Sequence, residues 1–165
     1  MSKTAENLMA AFAGESQANR KYLAYAAKAE KEGYPQVAKL FRAAADAETI
    51  HAHAHLRNAG KIGSTCENLK DAIAGETHEF KNMYPEMIKD AEAEGEKAAL
   101  RFFTYANKAE EVHAELYQKM METIDNPVET DYYNCSVCGY THEGPFEGDK
   151  CPICNASPSA FYKVD

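Results

Sequence analysis

The sequence has no run of about 18 apolar residues, which excludes a membrane-spanning helix. It has no charged-then-apolar leader either, so a cytosolic location is expected. Clusters of lysine and arginine are also missing, and the formal net charge is -8. That balance argues against nucleic acid or an anionic membrane surface as a partner. Cysteine is sparse, at five in 165 residues, and four of the five stand in two Cys-x-x-Cys pairs. In a reducing compartment such a pattern reads as metal ligation and not as a disulfide framework. The fifth, Cys66, reads as a structural thiol.

One phrase occurs twice in the remainder: Glu48-Thr-Ile-His51 and Glu110-Glu-Val-His113, each followed by alanine within an alanine-rich, charged stretch. Residues three apart on a helix share a face. Each phrase therefore offers one carboxylate and one imidazole to a common point, as helical bundles do when they hold a pair of metal ions.

Apolar residues at helical spacing, broken by Gly33, Gly60, Gly63 and Gly95, predict four long helices. Pro35 suits the first turn of the second, and Ser64-x-x-Glu67 is a capping box for the third. A shift of 62 residues aligns positions 22–52 with 84–114 at 11 identities in 31 pairs, which predicts a duplicated helical hairpin and a pseudo-twofold four-helix bundle. Ala13-Gly14-Glu15 matches Ala74-Gly75-Glu76 only at a shift of 61. The third helix thus carries one extra residue between Glu76 and Tyr84, expected to be absorbed as a π-bulge or kink with Pro85 nearby.

The repeat names the remaining candidates, Glu15 and Glu76, so that each helix gives a glutamate and two give a histidine. Hard iron or manganese suits such carboxylates, which would repel one another in a core without cations. Glu79 lies on the same face as Glu76 and has no counterpart in the first half, where Ala18 stands. It reads as a fifth acidic ligand or as a solvated helix glutamate. Tyr22 and Tyr84 read either as hydrogen-bond partners of the ligand carboxylates or as core aromatics. A His51/His55 pair is conceivable, whereas His53, His78 and His142 have no evident role, and Met83, Met87, Met120 and Met121 read as core filler.

The expected organisation is a helical domain over 1–124, a linker over 125–131 and a small module over 132–165. In that module Cys135-x-x-Cys138 and Cys151-x-x-Cys154, twelve residues apart, can converge on one tetrahedral ion. Zinc would make it a structural clip and iron a one-electron carrier, and spacing does not choose between them. Tyr132, Tyr133, Phe146 and Phe161 are expected to form its core.

With Cys-Gly-Tyr after the first pair and Cys-Pro in the second, the module resembles rubredoxin. A carboxylate bundle followed by such a tail resembles rubrerythrin along nearly the whole chain, in Gly-Glu15, Glu48-x-x-His51, Gly-Glu76-x-x-Glu79, Met-Tyr84-Pro-Glu, Glu110-x-x-His113 and both cysteine turns. The resemblance implies a mainly α protein, a ferritin-like bundle with a metal-bound β-ribbon. It implies two iron ions in the bundle and one on the four cysteines. It also implies a cytosolic, homodimeric peroxidase of anaerobic or microaerophilic prokaryotes. Such an enzyme reduces hydrogen peroxide to water with electrons from NAD(P)H, delivered by a separate reductase or rubredoxin. Carried onto this chain, Glu15 with Glu79 or His51 holds one iron, Glu76 and His113 the other, and Glu48 and Glu110 bridge. Glu79 serves the oxidised state and His51 the reduced one.

A length argument adds an expectation about assembly. His113 lies ten residues before Thr123, about 15 Å along a helix. A ribbon continuing outward would be too far for electron transfer within one chain, so a head-to-tail dimer is expected. Two other functions compete: a ferritin-like iron-oxidising or storage protein, and a zinc-ribbon binding module on a structural bundle.

Overall fold

The structure, a computed structural model, describes residues 2–164. Five α-helices lead into a three-stranded ribbon: α1 (Lys3–Lys31), α2 (Pro35–Asn58), α3 (Thr65–His78), α4 (Tyr84–Glu94) and α5 (Lys97–Glu122), then β1 (Tyr132–Cys135), β2 (Thr141–Glu143) and β3 (Phe161–Lys163). None of these helices is long and apolar enough to cross a membrane. The chain forms two compact units that divide between Gly63 and Ser64.

The first unit is the α1–α2 hairpin. Ser2 caps α1, its hydroxyl accepting from Ala5 N–H at 3.2 Å. Gly33 ends it at φ 82°, a left-handed backbone that glycine adopts without strain. Pro35 opens α2, as its missing N–H allows. The buried contact is made by Ala26, Ala29 and Ala38, with Phe41 packed against them. These small side chains let the two backbones approach closely. Asn19 adds a polar tie, donating from Nδ2 to the Ala45 carbonyl at 2.7 Å and to Thr49 Oγ1 at 2.8 Å.

The second unit repeats the hairpin and adds the ribbon. The Ser64–Glu67 capping box forms as expected and starts α3. Between α3 and α4, residues Glu79–Met83 form a π-helix, so the extra residue inferred from the change of shift is absorbed where the repeat placed it. Pro85 then sits in the first turn of α4, and Gly95 closes that helix at φ 73°, matching Gly33. The repeat extends to ring packing: Tyr84 lies 6.2 Å from Phe103, as Tyr22 lies 6.1 Å from Phe41.

The sheet order is β2-β1-β3, with β1 antiparallel to both neighbours. Its centre is Cys135, Cys138 and Cys151, surrounded by Tyr140, Ile153, Ala160 and Phe161. Phe146 stacks on Phe161 at 3.9 Å with the rings nearly parallel. Tyr105 of α5 also packs against this cluster. The ribbon therefore returns along α5, from its C-terminal end back toward Tyr105. The chain does not continue outward after Thr123 as the estimate of about 15 Å assumed. With the ribbon folded back, the ground for a head-to-tail dimer is gone.

Candidate metal centres

Each Glu-x-x-His phrase forms the contact its spacing implies. On α2 the His51 Nδ1 lies 2.9 Å from Glu48 Oε2, and on α5 the His113 Nδ1 lies 2.7 Å from Glu110 Oε2. A glutamate from the preceding helix completes each set: Glu15 approaches His51 Nδ1 at 4.0 Å, and Glu76 approaches His113 Nδ1 at 3.9 Å. Within each triad one ligand atom from every residue lies within 4.8 Å of the others. The two triads are thus local copies of one motif, one in each unit.

They differ in exposure. The His51 side chain is 56% exposed and that of His113 only 25%. In the second triad, burial followed by the charge of Glu110 raises the Glu76 carboxyl to about 7. Glu79 is pushed up by the same two causes. Among the described residues the converging set is Glu76, Glu110 and His113, and Glu79 stands beside it within reach of Glu110's field. Burial also raises Tyr84, with the charges of Glu110, Glu79 and Glu76 adding to the effect, so its hydroxyl keeps its proton beside the carboxylates. The hydrogen bond to Glu110 is the chief cause that raises His113. Tyr22 packs against Tyr25 and Phe41.

A set of carboxylates held near one another, with one carboxyl kept partly protonated at neutral pH, is the donor chemistry of a cation site. Metal would replace the proton that now separates Glu76 from Glu110. A cavity of about 520 Å³ opens beside this triad, lined in part by Glu76, His113, Tyr117, Tyr132 and Thr141.

Sequence reasoning missed what lies on the other side of His113. Its Nε2 is 3.1 Å from the Gly139 carbonyl and 3.0 Å from Thr141 Oγ1. A carbonyl only accepts, so Nε2 carries the hydrogen, and Nδ1 is the nitrogen left to face a cation. Gly139 directly follows the ligand candidate Cys138 and adopts φ 81°. The Cys-Gly-Tyr motif signalled the turn but not its contact with the helix. Lys119 of α5 adds an ion pair to Glu143 of β2.

The four cysteines are free thiols whose Sγ atoms cluster within 4.8 Å. Cys135 and Cys154 are 3.7 Å apart, and Cys138 and Cys151 are 3.6 Å apart. A tetrahedral ion with metal–sulfur bonds of about 2.3 Å separates its sulfurs by about 3.8 Å, so the four thiols fit a single tetrahedral metal. Burial raises Cys138 and Cys154; at Cys135 burial also pushes up, but hydrogen bonds from the Val137 and Cys138 N–H groups and from the Cys138 and Cys154 thiols together lower it. Only a cation makes four thiolates stable together in so small a volume.

Two family models match separate stretches of the chain. The rubrerythrin family model matches residues 6–121, and the model of the rubrerythrin rubredoxin-like domain matches residues 133–162. Nigerythrin of Nitratidesulfovibrio vulgaris is 39% identical over 96% of this chain and 85% of its own length. A rubrerythrin of Porphyromonas gingivalis is 35% identical over 98% and 90%. A solved structure described as the fully reduced, all-ferrous state of nigerythrin matches with a TM-score of 0.59 at 37% identity, over 99% of this chain and 88% of that one. The metals follow: two irons for the carboxylate–histidine ligands and one for the cysteines. With its helical region, its rubredoxin-like ribbon and both kinds of metal site accounted for, the chain belongs to the rubrerythrin family, whose members are generally oxidoreductases.

Proposed function

We propose that this protein is a non-haem di-iron peroxidase that reduces hydrogen peroxide to water with electrons passed through the ribbon's iron. The observation that carries the reading is the His113 Nε2–H bond to the Gly139 carbonyl, one residue from Cys138. An electron on the ribbon metal is thereby joined to the helical ligand set through Cys138, Gly139, one hydrogen bond and one imidazole. A storage protein has no use for such a junction, and a zinc clip could not feed it.

When bound, the paired irons supply two electrons to the O–O bond and the cysteine-bound iron restores them singly. The balance is one peroxide, two electrons and two protons to two waters. The chain's own groups arrange the rest. Glu15, Glu48 and His51 supply ligands in one unit, and Glu76, Glu110 and His113 in the other. Glu79 stands beside the second set as a further acidic ligand. The Tyr84 hydroxyl keeps its proton near neutral pH and can hydrogen-bond a peroxide oxygen, while burial and the charge of Glu110 push the Glu79 carboxyl up. The cavity beside Glu76 and His113 admits a molecule of peroxide's size. Electrons reach the ribbon from an NAD(P)H-dependent reductase or a rubredoxin.

The test is stopped-flow mixing of the fully reduced, iron-loaded protein with hydrogen peroxide. The visible absorption of the ferric cysteine site should return after the di-iron band, with one peroxide consumed per two electrons. Reoxidation that is fast with dioxygen and slow with peroxide would overturn the reading in favour of iron oxidation. A colourless, zinc-loaded ribbon in protein purified anaerobically would overturn electron transfer altogether.

A further inference from the structure

We propose that Thr141, oriented by Asn134, is a positioning residue for His113, fixing the imidazole so that Nδ1 faces Glu110 and Glu76. The assignment rests on hydrogen-bond direction. Thr141 Oγ1 lies 2.9 Å from Asn134 Oδ1 and 3.5 Å from the Gly139 carbonyl, so its hydrogen goes to Asn134. Its lone pair is then turned to His113 Nε2 at 3.0 Å, beside the Gly139 carbonyl at 3.1 Å. The Nε2–H is shared between two acceptors that belong to one rigid turn of the ribbon.

The arrangement is built into the sheet. Asn134 and Thr141 stand directly opposite each other on the antiparallel pair β1–β2, so the strand register itself delivers the hydroxyl. Glu110 holds the Nδ1 side of the ring, and on the Nε2 side the Thr141 oxygen adds a second acceptor to the Gly139 carbonyl. Outer hydrogen bonds of this kind set the tautomer of a ligating histidine and strengthen its metal bond. The ribbon thus contributes to iron retention in the helices as well as to electron delivery. This rests on the reading of Glu76, Glu110 and His113 as iron ligands.

The test uses the full-length, iron-loaded protein and four variants: T141V, T141S, N134A and K119A. Each is challenged with a ferrous chelator while remaining helical iron is counted by metal analysis and the cysteine site is followed by its visible absorption. T141V, which keeps the shape and loses the hydroxyl, should release helical iron about ten-fold faster than wild type with the cysteine-site spectrum intact. T141S should retain iron as wild type does. N134A should fall between, because the freed Thr141 hydroxyl turns to the Gly139 carbonyl and competes with His113 for it. K119A breaks the Lys119–Glu143 contact without touching His113 and should match wild type. Release from T141V at the wild-type rate would overturn the assignment. Equal acceleration in T141V and K119A would also overturn it, by making ribbon docking the cause. Peroxide turnover is scored separately, so a wild type that keeps its iron but ignores peroxide sinks the peroxidase reading and leaves the Thr141 assignment standing.

Discussion

Removing iron from the helices should make the protein less stable as pH rises. The native Glu76 carboxyl titrates at about 7 against 4.5 for a free glutamate. Between those values the native state holds a proton that the unfolded chain releases, so stability falls through that window. At about 1.36 kcal/mol per pKa unit, the 2.5-unit difference (7 minus 4.5) sets an upper limit of about 3 kcal/mol. Water reaching a side chain that is 23% exposed reduces this to about 2 kcal/mol. His113 acts in the same direction: its raised value gives stability that is complete below about 6.5 and is lost as pH climbs through the folded value. The assay is urea unfolding by helical circular dichroism after helical iron has been chelated, with the cysteine site checked by its colour. With a slope of about 2 kcal/mol per molar, the midpoint at pH 8 should lie about 1 M below that at pH 5. Restoring iron should reverse the trend, because metal binding displaces the proton. E76Q, which cannot titrate, should flatten the metal-free profile. A midpoint that is level or rises from pH 5 to pH 8, or an unchanged slope in E76Q, would refute the reasoning.

Other outcomes follow from the same geometry. C138S should abolish the visible absorption and reduction through the ribbon, while helical iron reduced chemically still reacts with peroxide; equal loss of both would show that the modules are inseparable. E79A should keep most of its helical iron and slow peroxide turnover about a hundred-fold in steady-state assays. G95A should cost about 1 kcal/mol in thermal unfolding, because φ is 73° there and nothing crowds the added methyl. N19A removes two hydrogen bonds between α1 and α2 and should cost about 1 to 2 kcal/mol, measured the same way.

What the sequence disclosed was what depends on short-range spacing. Glu48 and His51, or Glu110 and His113, meet because three residues on a helix bring them together. Ser64 and Glu67 cap α3 for a similar reason, and the cysteine turns carry their own geometry. The π-helix at Glu79–Met83 was visible because two alignments of one repeat disagreed by a single residue. The return of the ribbon along α5 was hidden, since residues 125–131 can leave a helix in any direction and only the packing of Tyr105 on the cysteine cluster decides it. Thr141 was hidden for the same reason: its partner His113 lies 28 residues away. The balance between Glu79 and the tighter Glu76–Glu110–His113 set was also illegible, because both glutamates share a helix face and only distance separates them.

The π-helix bears on how a duplicated scaffold can carry an asymmetric set of acids. An added residue in an ordinary helix turns everything beyond it by about 100°, which would swing Tyr84 and Ala91 out of their packing. Here the wide turn spends the added residue within five positions, and the helix leaves it in phase with its twin, as the matching Tyr22–Phe41 and Tyr84–Phe103 pairs record. Half the molecule thereby carries an extra acid, Glu79, at the start of that turn without disturbing the frame inherited by both halves. A local slip in phase has become the place where two equal hairpins acquire unequal chemistry.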